Sequence, residues 1–290
     1  MSFPNDQKRN IHTWFLVSAF CFSQKYNFTY AYTFKPDSLN LEKTETELMG
    51  LFIDKNGSTY FSLAKVRRDS AIAQKIEPDA ISSDRAVSTN IFPQGKIRGI
   101  IRKNWRSNEV ISYLPVGTDR FKITQHITLN WQIGTETALI QGRKCQLATL
   151  EYKGRKYNAW FTNEIPVSEG PYKFWGLPGL IVKIEDNKKQ HIWELKGIEK
   201  FRNIKLNLST YIPVTESRYK KAVEDYMKDP MSRMRELKQR YNITSFTSTM
   251  PDGSSYSDME YEKMRTKKIQ ESFRENNNSI ELTEHEYFKE

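Results

Sequence analysis

Residues 26–34 read Tyr26-Asn27-Phe28-Thr29-Tyr30-Ala31-Tyr32-Thr33-Phe34, with an aromatic ring at every second position. A two-residue period sends alternate side chains to opposite faces of an extended strand, so the rings share one face. A sheet with one buried side accommodates such a pattern, and rings of this size favour strands. The same logic extends outward. Residues 46–54 and 58–63 flank Lys55-Asn56-Gly57, and Asn-Gly between such runs is a strong hairpin signal. Strand-like segments recur at 96–103, 109–114, 120–133, 137–152, 155–162, 180–186 and 190–201, divided by short Gly, Asn, Asp or Pro signals. In 120–133, Phe121, Ile123, Ile127, Leu129, Trp131 and Ile133 alternate with polar residues, which gives one buried and one wetted side. Parallel strands need long crossovers, so short turns imply antiparallel neighbours. The expected body, residues 24–212, is mainly β: a curled antiparallel sheet or open barrel with meander connectivity.

Helical spacing appears in three places. Residues 64–76 lack strand alternation and end before Pro78, which suits a short helix. After Pro213, Thr215 is an N-cap candidate, and Tyr219, Val223, Tyr226, Met227, Met231, Met234, Leu237 and Tyr241 recur at helical intervals. A helix over 215–241 follows, with a bend at Pro230. A polar stretch with the turn Pro251-Asp252-Gly253 leads to a charged helix at 258–275, whose apolar positions are too few for an independent fold. Residues 213–290 thus form a helical C-terminal extension, packed on the β domain or on a partner.

Compartment is read from the beginning of the chain. Lys8 and Arg9 precede an apolar run, Trp14 to Ser23, that has the length of a signal-peptide core and is too short to span a bilayer. Residues 1–23 are therefore expected to be a removable signal peptide, with Gln24 as the mature N-terminus and Cys21 and Ser23 meeting the small-residue cleavage rule. The protein is then exported, to the periplasm or the outer membrane. Removal of the leader leaves Cys145 as the sole cysteine, so no intramolecular disulfide forms. Cys145 reads as a small buried hydrophobe, with a nucleophilic thiol as the alternative. The 290-residue chain has no other apolar run near the roughly 20 residues of a membrane helix, so no transmembrane segment is expected in the mature form. A net charge of +10 suits an anionic partner, but Lys and Arg are dispersed without a nucleic-acid-binding signature, which argues against nucleic acid.

The most specific segment spans residues 140–186. It holds a strand with Cys145, a turn at Gly154-Arg155, the strand Ala159-Trp160-Phe161-Thr162, then Glu164-Ile165-Pro166, Gly170-Pro171 and the hexamer Gly176-Leu177-Pro178-Gly179-Leu180-Ile181. This run resembles the GLPGLI family of exported bacterial proteins. Weaker likeness covers the strand around Trp131 and residues 277–282. The resemblance implies export, often near outer-membrane uptake receptors, and carries no established catalytic activity and no roll of functional residues. In the hexamer, Pro178 and Gly179 suit the central positions of a type II turn. Leu177, Leu180 and Ile181 then belong to the core. Ile165-Pro166 and Gly170-Pro171 shape a connection of about fifteen residues, longer than a usual hairpin loop. Tyr172, Phe174 and Trp175 in this loop, with Trp160 and Phe161 on the preceding strand, are the candidate ligand-binding residues. The competing expectation is a lid that plugs an open barrel with the same rings.

Enzyme signatures are absent: no nucleophile elbow, no paired metal-binding histidines, no phosphate loop. His126, His191 and His285 are isolated in sequence, so neither a metal nor another cofactor is expected. Glu164, with Glu185 or Asp186 and Arg155 nearby, is the one carboxylate set that could serve a hydrolase. The expected role is a non-enzymatic binding protein or accessory subunit of the envelope. Its partners would be a small or hydrophobic ligand and an outer-membrane receptor or other envelope protein. The alternatives are a docking component of a receptor complex and a carboxylate-dependent hydrolase.

Overall fold

The computed structural model describes residues 26–75, 95–200, 206–242, 248–249 and 254–282. The expected signal peptide, the turn at 251–253 and His285 lie outside those residues.

Two meanders build the sheet. The first comprises β1 (Tyr26–Phe34), β2 (Glu45–Asp54), β3 (Gly57–Ser62), then, after helix α1 (Leu63–Lys75), β4 (Ile100–Asn104), β5 (Glu109–Val116) and β6 (Asp119–His126). The second comprises β7 (Gln132–Ile140), β8 (Arg143–Tyr152), β9 (Arg155–Thr162), β10 (Leu180–Asp186) and β11 (His191–Lys200). Antiparallel pairing of β1 with β11 joins them in mid-sheet. A two-residue strand β12 (Ile212–Pro213) adds parallel to β6, and the twelve strands run β12-β6-β5-β4-β3-β2-β1-β11-β10-β9-β8-β7.

This order forces curvature. β6 and β7 are consecutive in the chain yet ten steps apart in the sheet. In a flat sheet they would be separated by about 48 Å, whereas the link from His126 to Gln132 reaches at most about 22 Å. The sheet therefore curls until its ends approach, and since no ladder joins β6 to β7 the barrel stays open. The mainly β, curled architecture expected from the alternating rings is what forms.

Its concave side holds the main core. Phe28, Tyr30, Tyr32 and Phe34 of β1 are buried there beside Met49, Leu51 and Ile53 of β2 and Trp193 of β11. The convex side carries a smaller cluster, Phe61, Ile100 and Tyr113, covered by Leu63 and Val66 of α1 and by Leu206, Leu208 and Tyr211.

Three boundaries differ from the sequence pattern. The 120–133 run is not one strand: after His126 the chain leaves the ladder, and Ile127, Leu129 and Trp131 pack on the core without strand pairing. Alternation reports an extended chain with one buried side, and an unpaired segment has that as well. The 137–152 run breaks at Gln141-Gly142, both with positive φ (51° and 75°), the geometry of a tight two-residue hairpin turn. The expected helix over 215–241 is two, α2 (Glu216–Lys228), with Thr215 as its cap, and α3 (Ser232–Arg240), because Pro230 has no amide hydrogen to continue the ladder. Helix α4 (Asp258–Glu275) begins with a capping box of Ser257 and Glu260, after a small hairpin of β13 (Ser248–Thr249) and β14 (Ser255–Tyr256).

The hexamer also turns differently. Gly179 donates its amide hydrogen to Leu177 O (2.8 Å), a three-residue turn centred on Pro178, and φ of Gly179 lies outside the left-handed region. Glycine is required there for room: a Cβ at 179 would sit 2.1 Å from Thr162 O. Gly179→Ala must therefore push the backbones of β9 and the hexamer apart. A loss of about 3 kcal/mol or more is expected in chemical unfolding, at the upper end for overpacking. Gly142→Ala, which meets nothing within 4 Å, should cost only about 1–2 kcal/mol for its left-handed backbone. Equal losses for the two variants would contradict the close-approach account.

Candidate functional site

The connection between β9 and β10 folds back into the concave side of the sheet. Its backbone is tied by Gly176 N to Ser168 O (3.3 Å), Phe174 N to Pro171 O (3.1 Å) and Ile181 N to Glu169 O (2.9 Å). Val167, Phe174 and Leu177 enter the main core, as do Leu180 and Ile181 at the start of β10, while Pro178 faces outward. Phe174 is fully buried, with ring centroids at 4.8 Å from Tyr157, 5.7 Å from Trp193 and 5.9 Å from both Tyr152 and Tyr172.

The five aromatic candidates occupy different places. Phe161 and Phe174 are core residues of the concave side, and Trp160 is half-buried on the opposite face of β9 from Phe161. Trp175, half-buried, accepts a hydrogen bond at its carbonyl from Trp131 Nε1 (2.8 Å) and has Lys103 Nζ 5.8 Å from its ring. Tyr172 is half-buried and lines the cavity described below.

Three charged pairs hold this interior in place. Lys103 of β4, 1% exposed, pairs with Glu169 (2.5 Å) and donates to Gly170 O (2.7 Å) and Phe174 O (3.1 Å). Glu169 also accepts from Trp105 Nε1 (2.5 Å). Burial pushes the Lys103 ammonium down, and Glu169 opposes that. Arg155 pairs with Asp186 (3.1 Å) and donates to Gln190 (2.9 Å), Asn278 (2.6 Å) and Ser279 O (2.7 Å). Lys173 pairs with Glu281 (2.6 Å) and reaches Gln125 (3.2 Å).

The last two pairs anchor residues 276–282, a strap that crosses the concave side after α4. Asn278 bonds to Pro36 O and Lys35 O, Tyr157 donates to Ile280 O, and Leu282 N donates to Lys153 O. Glu281 accepts from the hydroxyls of Tyr172 (2.8 Å) and Tyr152 (3.1 Å). Burial raises its carboxyl, but Lys173 and the hydrogen bonds from Lys173 and Tyr172 outweigh this and hold it below the usual carboxylate range.

Beside the strap remains a cavity of about 250 Å³. Tyr32, Tyr60, Tyr172 and Tyr219 line it with Ile101, Leu114 and Ile280, and Ser112 lies in its wall. The Tyr32 hydroxyl bonds with His191 Nδ1 (2.8 Å) and that of Tyr172 donates to Glu281, whereas the Tyr60 hydroxyl accepts from Trp193 Nε1 (2.9 Å) and keeps its own hydrogen to donate. The Ser112 hydroxyl, on a residue 2% exposed, has no hydrogen-bond partner among the described residues. Such a group is costly to leave unpaired and marks a place where a bound atom would be favoured.

The carboxylate set is not assembled. Glu164 accepts from Lys144 N (3.0 Å) beyond the end of β9, where Thr162 lies opposite Leu180. Glu185 lies opposite Asn158 and pairs with Lys183 (2.9 Å), while Asp186 is engaged by Arg155. Four residues of strand separate the two ends by about 13 Å, longer than glycosidase carboxylate pairs allow. Burial pushes the Cys145 thiol up, against thiolate formation. Among the described residues, no cluster of His, Cys, Asp and Glu could hold a metal ion, and no helix is long and apolar enough to cross a membrane.

Comparison with known proteins adds a family likeness and a distant structural one. The profile of a family described as "Protein of unknown function (Porph_ging)" matches residues 148–183, the stretch from β8 through the hexamer into β10. No curated protein matches. Solved structures of PNGF-II in the P21 and C2 space groups each align with TM-score 0.48 and 17% identity, over 69% of this chain and 33% of theirs. The chain thus spans about a third of their length.

The depressed Glu281 carboxyl fixes a pH window for the strap. A carboxyl whose folded pKa lies below the unfolded value, about 4.3, contributes stability that is intact above that value and lost as pH falls through the folded one. The protection of amides 276–282 against hydrogen exchange, taken relative to the unfolded-chain rate at each pH, should hold from neutral pH to about pH 5 and fall below about pH 4. Glu281→Ala, which strands a buried ammonium, should cost about 3–5 kcal/mol in unfolding. Strap protection that is lost already near pH 6 would refute the role given to Glu281.

Proposed function

We propose that this chain is an exported binding protein of the bacterial envelope that seats a small ligand in the cavity beside the strap. The observation that carries this reading is the cavity itself: a volume on the concave side of an open barrel, walled by tyrosines, with a buried unpartnered hydroxyl in its lining. Concave, largely apolar sites with a few directed polar groups are the usual seats of small ligands, and mouths of curled sheets are common places for them. Its size, just under the span of about 300–1,000 Å³ typical of drug-sized ligands, argues for a small molecule. Export and action in the periplasm or at the outer membrane draw support from the leader-like residues 1–23 and from the resemblance of 140–186 to the GLPGLI family. Binding without turnover is consistent with the separated carboxylates described above.

A second reading, a component docking on an outer-membrane receptor complex, rests on α4. Its eighteen residues include no buried side chain, and Met259 is 82% exposed. An amphipathic element left largely in solvent is available to a partner.

Protein isolated from its own envelope should begin at Gln24 by N-terminal sequencing and should carry a small molecule in native mass spectrometry. Leu114→Trp, which fills the cavity from its half-buried wall, should abolish that extra mass while thermal unfolding stays cooperative. An uncleaved N-terminus sinks the export reading, and an empty native protein sinks the carrier reading. In that second case, capture of a receptor subunit through α4 would favour the docking role.

A further inference from the structure

Basic residues that are scattered along the chain come together on the convex side of the sheet, away from the cavity. We propose that Arg102, Arg120 and Lys122, with Arg98 beside them, form a binding site for a single phosphate group, either the free ion or the head of a phosphorylated lipid. This site is independent of the cavity and of whatever the cavity holds.

Strand register builds the cluster. Tyr113 of β5 belongs to the convex core, and its direct partners are Ile100 on β4 and Lys122 on β6. Two residues beyond Ile100, Arg102 shares that face, and so does Arg120, two residues before Lys122. Both are diagonal neighbours of Tyr113, a separation that long side chains bridge. Burial pushes the Tyr113 phenol up, and the Arg102 guanidinium opposes it. Tyr211 meets Tyr113 edge-on, with ring centroids 5.2 Å apart, and the Arg120 guanidinium carbon lies 6.0 Å from the Tyr211 ring. Arg120 Nη1 also donates to Thr210 Oγ1 (2.9 Å). Burial pushes the Tyr211 phenol up as well, while Arg120 and Arg98 pull it down. Four cations thus surround one pair of tyrosines.

Among the described residues, none of these four pairs with a carboxylate. The nearest acids are engaged elsewhere. Asp69, which also acts on Tyr211, pairs with Lys65 of α1. Glu47 shares the concave face with Met49 and accepts from Lys96 N (2.7 Å) and Ile97 N (3.0 Å). Glu109 and Asp119 stand at opposite ends of the β5–β6 hairpin. An extended polyanion lying along these strands would run into one or both of those acids, whereas a compact anion fits between them. A lone carboxylate would answer only one cation, and a doubly charged phosphate answers two while its oxygens match the arginine fork. Arg102 and Lys122 are half-buried and so less screened by salt, and Arg98 and Arg120 are exposed, where an entering anion meets them first. The Tyr211 hydroxyl, within the field of two guanidiniums, is placed to donate to a phosphate oxygen.

Inorganic phosphate is titrated calorimetrically into the full chain at constant ionic strength. It should bind at about pH 8, and about ten-fold more weakly at about pH 5, where the ion carries one charge instead of two. Arg102→Gln and Arg120→Gln should each weaken binding about ten-fold. Lys156→Gln, which removes an exposed cation of β9 and lowers the net charge equally, should leave it unchanged. If Arg102→Gln does not fold, the exposed change Arg120→Gln carries the test alone. Flotation with phosphatidylcholine vesicles that contain phosphatidate separates the two sources. Retention that inorganic phosphate reverses assigns the lipid head, and no retention assigns the free ion. Phosphate affinity that ignores both arginine variants, or that falls as far with Lys156→Gln, overturns the site in favour of diffuse charge. Absence of phosphate binding at both pH values overturns it as well.

Discussion

A link of five residues, 127–131, ties two strands that stand ten places apart in one sheet. Every larger feature follows from that constraint. The sheet curls to bring its ends within reach of the link, and the curl creates a concave side that water cannot be allowed to fill. The alternating rings of β1 supply the apolar wall, and their pairing with β11 places that wall at the middle of the curve, where the interior is deepest. Since β6 and β7 share no ladder, the interior stays open along one seam, and it must be closed by something other than a strand.

Two irregular segments do that, and both are held by charge as well as by burial. The loop before the hexamer brings Phe174 into the core and is fastened by Lys103, while the strap is fastened by Arg155 and Lys173. Buried ion pairs contribute little net stability, because desolvation offsets the attraction. What they provide is position: an ammonium that finds two carbonyls and one carboxylate in a single arrangement penalises every other placement of the loop. A plug made from side chains of oil alone could slide. The cavity keeps its shape next to irregular backbone because polar groups fix that backbone on both sides of it.

Much of the fold was legible in the sequence, and the reason is periodicity. The rings of β1, the Asn-Gly hairpin signal and the short gaps between strands point to a curled antiparallel sheet without reference to coordinates. The union of two meanders through β1 and β11 was not legible, since pairing across more than 150 residues leaves no local trace. The site was less visible still. Lys103 had a signal: it falls two residues after Ile101, so strand parity turns it inward, and an inward lysine needs a carboxylate. Glu169, its partner, lies in a loop where no period operates. Ser112 is an ordinary residue in sequence, and only the curl gives it a place in the cavity wall. The hexamer was recognisable, but its second glycine answers to the nearness of Thr162 rather than to a left-handed turn.

The strap joins residues that are extreme in sequence separation: Asn278 bonds to Lys35, 243 positions away. Contacts of such range form slowly, because a long loop must close before anything rewards it. Closing the concave side is thus a late event in folding. Either meander can form before residues 276–282 dock, but neither is then sealed. Until then the aromatic face of β1 is open to water, and that interval is when the chain is most prone to aggregate.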